Sequence, residues 1–122
     1  MTHGMLYIED DENNVRLIER LLARRAHVDL RVAMTGREGV QAARTEPAAL
    51  ILLDNHLPDA TGTEVLSQLA ADPDTAAIPV VILSGDTDQG TISRLLAAGA
   101  ADYLEKPFDI HQLGAILDRY FP

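Results

Sequence analysis

The sequence feature that most constrains the fold is an uninterrupted apolar run, residues 50–53, that ends at the single carboxylate of Asp54. A polar loop marked by Pro58 follows it. A continuous apolar run closed by a turn signal is typical of a strand buried on both faces. Asp54 would then lie at the carboxyl end of a central strand, the edge where open α/β sheets bind ligands.

Similar apolar runs alternate with helical patterns along the chain. Strands are predicted at residues 5–8, 28–33, 50–54, 78–84 and 101–104. Apolar residues at helical spacing separate them, as in residues 13–25, and capping-box sequences at 35–38 and 61–64 open the second and third helices. Five strands alternating with five helices predict a parallel sheet with helices on both faces. The strands at 50–54 and 78–84 should be central.

Two expectations concern burial at the ends of this arrangement. Alternation in the second strand predicts one wet face and a place near the sheet edge, with the apolar side made of Val28, Leu30 and Val32. Asp109 caps the last helix, whose apolar face should consist of Ile110, Leu113, Leu117 and Tyr120.

Composition narrows the class of protein. A chain of 122 residues suits one domain, residues 1–122, with one modest core. The absence of cysteine excludes disulfides, thiolate catalysis and Cys-ligated zinc. A net charge of −9 argues against direct binding to nucleic acid or to an anionic membrane. Without an apolar run of membrane-spanning length or a secretory signal, a cytoplasmic location is expected.

Polar side chains follow four of the predicted strands at the point where each strand ends. They are Glu9, Asp10, Asp54, Ser84 and Lys106, the last being the only lysine in the chain. Taken singly, each has an ordinary structural explanation, but parallel strands would bring all five to one edge. Crowded carboxylates need a cation, and their hard oxygen ligands suit Mg²⁺. A carboxylate can attack phosphorus to form an aspartyl-phosphate, while a lysine and a hydroxyl stabilise the phosphoryl oxygens.

Four motifs connect this pattern to a known family. They are Tyr7-Ile8-Glu9-Asp10, Leu53-Asp54 with Pro58 and Gly62 behind it, Ile82-Leu83-Ser84, and Tyr103-Leu104-Glu105-Lys106-Pro107. The chain resembles bacterial two-component receiver domains over essentially its whole length, most closely the C-terminal receivers of hybrid sensor histidine kinases. The resemblance implies a flavodoxin-like (βα)5 three-layer sandwich with a parallel sheet of order 2-1-3-4-5.

The resemblance also implies roles for individual residues. Asp54 is the phosphoacceptor, and Ser84 and Lys106 bind the phosphoryl oxygens. The implied ligands of Mg²⁺, or Mn²⁺, are Asp10 directly, Glu9 through water, Asp54, and the backbone carbonyl of His56. Tyr103 matches the aromatic residue that reorients when the hydroxyl residue Ser84 moves. The Lys106–Pro107 bond matches the family's cis peptide.

His56 and Asp86 occupy positions that tune the lifetime of the phosphoryl group in this family. Both would flank the path of the water that hydrolyses an aspartyl-phosphate. A hydrogen-bonded pair would hinder that water and lengthen the lifetime, which is the outcome we favour. The alternative is that one of the two side chains orients the water and speeds hydrolysis.

The resemblance implies a signalling module rather than an enzyme acting on other substrates. Its phosphodonor would be a sensor histidine kinase or a histidine phosphotransfer domain. Its downstream partner, which the sequence does not name, would bind the surface formed by helix 4, strand 5 and helix 5, and a homodimer through that surface stays open. Because the chain ends at Pro122 directly after the last helix, we expect a single-domain regulator or a receiver excised from a hybrid sensor kinase.

Three alternatives fit the residues less well. A phosphatase of the haloacid dehalogenase type needs a second aspartate two residues after the nucleophile, where His56 stands. A flavodoxin needs Ser, Thr and Gly after the first strand, where residues 9–12 are all acidic. A degenerate receiver that only binds partners would have lost Asp54 or Lys106, and both are present.

Overall fold

A computed structural model describes residues 4–85 and 88–122, which form five strands and five helices in strict alternation. The strands are β1 (Gly4–Ile8), β2 (Asp29–Ala33), β3 (Leu50–Asp54), β4 (Val80–Ser84) and β5 (Asp102–Glu105). The helices are α1 (Glu12–Leu22), α2 (Gly36–Thr45), α3 (Gly62–Ala71), α4 (Gln89–Ala97) and α5 (Ile110–Tyr120). In the described part of the chain, no helix has the length and apolar character required to cross a membrane.

All strand pairs are parallel, and the sheet order is β2-β1-β3-β4-β5. This confirms the predicted flavodoxin-like topology. β3 is the middle strand, and all five residues of both β3 and β4 are buried. The register pairs Ile8 with Leu53, Asp54 with Leu83 and Ser84 with Glu105. The carboxyl ends of these strands therefore meet at one edge of the sheet, as the alternation predicts.

Successive strand residues belong to two separate cores, one on each face of the sheet. In β3, Ile51 and Leu53 pack with side chains of α2, α3 and α4, whereas Leu50 and Leu52 pack with side chains of α1 and α5. Because side chains alternate across a strand, an unbroken apolar run supplies both cores at once. This three-layer arrangement leaves the carboxyl edge of the sheet as the place for polar side chains.

The ends of the helices are set by local capping. Thr61 and Glu64 form a complete capping box at α3, as predicted. At α2 the prediction is only half right, because the Thr35 side chain accepts from Glu38 N–H, but the Glu38 carboxylate accepts from Met34 N–H instead of reaching back to Thr35. Gly99, with φ of 114°, ends α4, since its N–H and that of Ala100 bond back into the last turn.

Three expectations about the periphery are wrong in detail. Val32, expected on the apolar side of β2, is 41% exposed, because β2 is the outermost strand of the sheet. Ile110 is 57% exposed, since it begins α5 beyond the reach of the core that holds Leu113 and Leu117. α1 ends at Leu22 rather than at residue 25, where the chain turns and Arg25 pairs with Asp118 of α5.

Two glycines inside helices have opposite surroundings, which gives a matched prediction. A Cβ on Gly114 in α5 would meet only Arg25 Nη2, at 3.9 Å, whereas a Cβ on Gly39 in α2 would lie 2.4 Å from the buried Ile8 Cδ1. Gly114→Ala should raise the free energy of unfolding by about 0.5–1 kcal/mol, because glycine costs that much in a helix interior. Gly39→Ala should lower it by about 1–3 kcal/mol through overpacking.

Urea unfolding of both variants measures these changes. The opposite order of stabilities would contradict the packing described for the two glycines.

Candidate functional site

Glu9 is the most buried member of the acidic edge, with no exposed surface. It follows β1 directly, and its N–H donates to the carbonyl of Ala33, which anchors the backbone to β2 (2.9 Å). Its Oε1 accepts hydrogen bonds from Asn14 Nδ2 at 2.7 Å, Lys106 Nζ at 2.9 Å and Tyr7 Oη at 3.2 Å. The Glu9 side chain is therefore fixed by groups from β1, α1 and the end of β5.

Lys106 connects the two buried carboxylates of the site. Its Nζ lies 2.9 Å from Glu9 Oε1 and 3.1 Å from Asp54 Oδ1, with 22% of its side chain exposed. The backbone holds it in place, because Lys106 N–H donates to the carbonyl of Ser84 at 2.9 Å. The Lys106–Pro107 peptide bond is cis. The chain's single lysine thus lies against Asp54, as the order of the strands predicts.

The oxygen atoms of the acidic cluster suit a hard divalent cation. Ligand oxygens from Glu9, Asp10 and Asp54 all lie within 4.8 Å of one another. Asp10 is exposed, which leaves one side of the cluster open to water. Glu9 Oε2 is buried, and it has no hydrogen-bond donor among the residues that the structure describes. An orphaned buried carboxylate oxygen beside two further carboxylates is the donor set that Mg²⁺ prefers.

Burial and the contacts among the charged groups shift the pKa values of Glu9 and Asp54 in opposite directions. Burial, and next the Glu9 carboxyl, raise the pKa of Asp54 to about 6. Burial also acts to raise the pKa of Glu9, but its contacts with Asp54, Lys106 and Asn14 outweigh this and lower it. Burial favours the neutral amine of Lys106, yet the two carboxylates raise the pKa of Lys106 on balance. Asp54 is therefore the carboxylate that the metal-free site tolerates least.

The other predicted site residues lie at the same edge or near it. Ser84 is buried at the end of β4. Half-buried Tyr103 lies in the neighbouring strand β5, where its backbone is in register with Ile82 of β4. His56 is exposed, and its N–H donates to Asp54 Oδ1 at 3.3 Å. The predicted lifetime residue Asp86 lies outside the described residues, so its pairing with His56 stays a prediction.

Sequence reasoning missed three residues that shape this edge. Tyr7 lies in an apolar strand and in one of the four family motifs, but neither predicts its role here: a buried phenol needs an acceptor, which Glu9 provides. Asn14 lies in the first turn of α1, and only the packing of α1 on β1 brings it to Glu9. Asp59 lies in the polar loop after β3, and its place in the sequence does not predict that its carboxylate accepts from two N–H groups at the start of α2.

A cavity lies away from this chemistry, between α1 and α5. It measures about 730 Å³ and is lined by apolar residues such as Leu21 and Leu113 together with Arg20 and Arg24. None of the five predicted site residues lines it. The candidate site is therefore the acidic edge and not this cavity.

Comparisons with known proteins agree with this geometry. A family model described as a response regulator receiver domain matches residues 5–118. The hybrid signal transduction histidine kinase G of Dictyostelium discoideum is 32% identical over 120 residues, covering 97% of this chain and 4% of that protein. The response regulator PleD of Caulobacter vibrioides is 35% identical over 109 residues, covering 89% of this chain and 24% of that protein. The chain thus spans a minor part of these relatives.

A solved structure matches the whole fold. It is the receiver domain of the sensor histidine kinase PA1611 from Pseudomonas aeruginosa, with a TM-score of 0.86 and 29% identity over 98% of both chains. That structure has a magnesium ion coordinated in its active-site cleft.

The raised pKa of Asp54 predicts how the stability of the metal-free protein depends on pH. A pKa raised in the folded state means that the folded protein favours the protonated carboxyl. The contribution of Asp54 is therefore intact below about pH 4 and is lost as the pH rises through about 6. Asp54→Asn avoids this loss and should be more stable than the wild type by about 1–3 kcal/mol at pH 7.5.

Urea unfolding in the presence of EDTA at pH 4 and pH 7.5 measures this difference, which should shrink at pH 4. A metal-free Asp54→Asn variant less stable than the wild type at pH 7.5 would show that Lys106 overcompensates the repulsion.

Proposed function

The chain belongs to the family of response regulator receiver domains, and on that premise we propose that it accepts a phosphoryl group on Asp54 in a two-component phosphorelay. The observation that carries this proposal is the position of Lys106 Nζ, 3.1 Å from Asp54 Oδ1 and 2.9 Å from Glu9 Oε1. A carboxylate beside a lysine ammonium and two further carboxylates has the groups that phosphoryl transfer to an aspartate requires.

In the transfer, an oxygen of the Asp54 carboxylate attacks phosphorus. The new O–P bond forms as the P–N bond to the histidine of the donor breaks, and that histidine leaves with the electron pair and takes up a proton. The attacking oxygen of Asp54 gives up its negative charge to the new bond, and Asp54 becomes an aspartyl-phosphate. Burial favours the reaction, because the same desolvation that raises the pKa of Asp54 destabilises its free charge.

The surrounding residues stabilise the phosphoryl oxygens. Lys106 can shift its ammonium group from the Asp54 oxygen to a phosphoryl oxygen, and the Ser84 hydroxyl lies at the adjacent strand end. Glu9, Asp10, Asp54 and the carbonyl of His56 would hold Mg²⁺ or Mn²⁺. The ion would neutralise charge that develops on the phosphoryl oxygens.

The phosphodonor in this proposal is a sensor histidine kinase or a histidine phosphotransfer domain. The response would pass from Ser84 to half-buried Tyr103, one strand away, and so to the surface of α4, β5 and α5, where a downstream protein or a second copy of the chain binds. The side chain of His56, exposed beside Asp54, would influence access of water to the phosphoryl group.

Phosphorylation by a small phosphodonor tests the proposal directly. Incubation with Mg²⁺ and acetyl phosphate should add the mass of one phosphoryl group to the intact protein. EDTA should abolish the gain, and Asp54→Asn should remove it because the nucleophile is gone. Intact mass spectrometry is the measurement. A wild type that gains nothing, or an Asp54→Asn variant that is still phosphorylated, would rule the proposal out.

The compact charge of Lys106 gives a second test. An ammonium can lie between Glu9 and Asp54 at hydrogen-bond distance from both, whereas a guanidinium is broader and planar. Lys106→Arg should fold, because a cation remains beside the carboxylates. Its rate of phosphorylation should fall by about 100-fold, the lower end of the cost of losing one well-placed electrostatic group.

A matched control is Arg119→Lys, which exchanges the same two cations at an exposed pair with Asp102. Its rate should equal that of the wild type. Equal rates for Lys106→Arg and the wild type would refute the specific role of the lysine.

A further inference from the structure

The loop that follows Asp54, residues 55–61, is tied to the fold at its base. Asn55 N–H donates to Leu83 of β4 at 3.0 Å, and Gly62 N–H donates back to Asn55 at 3.1 Å. His56 lies just inside this base and pairs with Thr61 across the loop. The tip of the loop, residues 57–60, is closed by a hydrogen bond from Leu57 N–H to the carbonyl of Ala60 at 3.2 Å, and Leu57 and Ala60 pack against the core.

Asp59 adds polar contacts between the tip of the loop and α2. Its Oδ1 accepts from Gly36 N–H at 2.7 Å, and its Oδ2 accepts from Arg37 N–H at 3.0 Å. These are the first two N–H groups of α2, which have no partner inside the helix. Both lower the pKa of the Asp59 carboxyl, so the side chain is charged at neutral pH and complements the positive end of the helix dipole.

The start of α2 and the loop are also in close steric contact. A Cβ on Gly36 would lie 2.9 Å from Val65 Cγ2 and 3.0 Å from Ala60 Cβ. Glycine at this position lets the helix approach the loop closely enough for Asp59 to reach two backbone N–H groups.

α2 does not depend on Asp59 alone for capping. Thr35, the residue before the helix, already accepts from Glu38 N–H through its own side chain. The contact of Asp59 with α2 is thus an addition to an ordinary helix cap. It connects the start of α2 to the loop that carries His56. We propose that Asp59 is a positioning residue, which fixes the loop against α2 and so holds the backbone of His56 in place for the metal and phosphoryl site.

This inference rests on the proposed function, since His56 matters to the site only if its backbone serves the metal. Asp59 touches neither the metal nor the phosphoryl group in this account. Its effect travels through residues 56–58, and its loss should therefore be felt as weaker metal binding by an otherwise folded protein.

The test compares two variants that each remove one acceptor side chain from the same helix end. Asp59→Ala removes the contact between the loop and α2, whereas Thr35→Ala removes the local cap and leaves that contact intact. Isothermal titration calorimetry with MgCl2, below the melting temperature of each variant, gives the Kd. Asp59→Ala should weaken Mg²⁺ binding about tenfold, and Thr35→Ala should stay within about twofold of the wild type. The rate of phosphorylation by acetyl phosphate should follow the same order.

Each outcome separates the inference from its premise. Equal Kd values for Asp59→Ala and Thr35→Ala would overturn the positioning role, because only the shared loss of helix capping would remain. A wild type that neither binds Mg²⁺ nor accepts a phosphoryl group would overturn the proposed function itself. If Asp59→Ala melts near the measuring temperature, Asp59→Asn replaces it, because the amide keeps one acceptor oxygen and the same direction of change is expected.

Discussion

The contact of the Lys106 ammonium with Glu9 and Asp54 is the interaction on which the rest of this edge depends. Both carboxylates are almost completely withdrawn from water, and a buried charge without a partner destabilises a fold by several kcal/mol. The parallel topology makes the contact possible, because β1 and β3 are neighbours and β5 ends at the same edge. The long lysine side chain spans the remaining distance. A shorter cation at the end of β5 would leave Asp54 uncompensated.

The fold and most of this edge could be predicted from the sequence, because the signals are local. The unbroken run before Asp54 indicates a strand with two covered faces, and the alternation of elements brings strand ends together. Lys106 could be assigned to the site for the same reason. The partners of Glu9 could not, since a hydrogen bond from Asn14 depends on how α1 packs on the sheet. Asp59 is harder still, because the N–H groups it binds lie 22 and 23 residues away in the chain.

The errors at the periphery have a common physical cause. Periodicity identifies the face of an element on which apolar residues lie, but it does not show how far the neighbouring layer extends. Val32 lies on an edge strand and Ile110 on the first turn of a helix, and both side chains are more exposed than their apolar spacing predicts. Arg31 shows the opposite error, because the alternation in β2 places it on the solvent-exposed face of the strand. It is partly buried instead, because its guanidinium group donates to carbonyls of Ala42 and Glu46 at the end of α2.

The two separate cores pack against opposite faces of the sheet. Leu52 and Leu53 are adjacent in the chain, yet one packs against α1 and α5 and the other against α2, α3 and α4. Close-packed side chains transmit strain to the atoms they touch, and the sheet backbone separates these two sets of atoms. The helices of one layer can therefore exchange their apolar residues over evolutionary time without forcing compensating exchanges in the other. Surfaces on opposite sides of the same small protein are free to acquire different binding specificities while sharing one phosphoryl site.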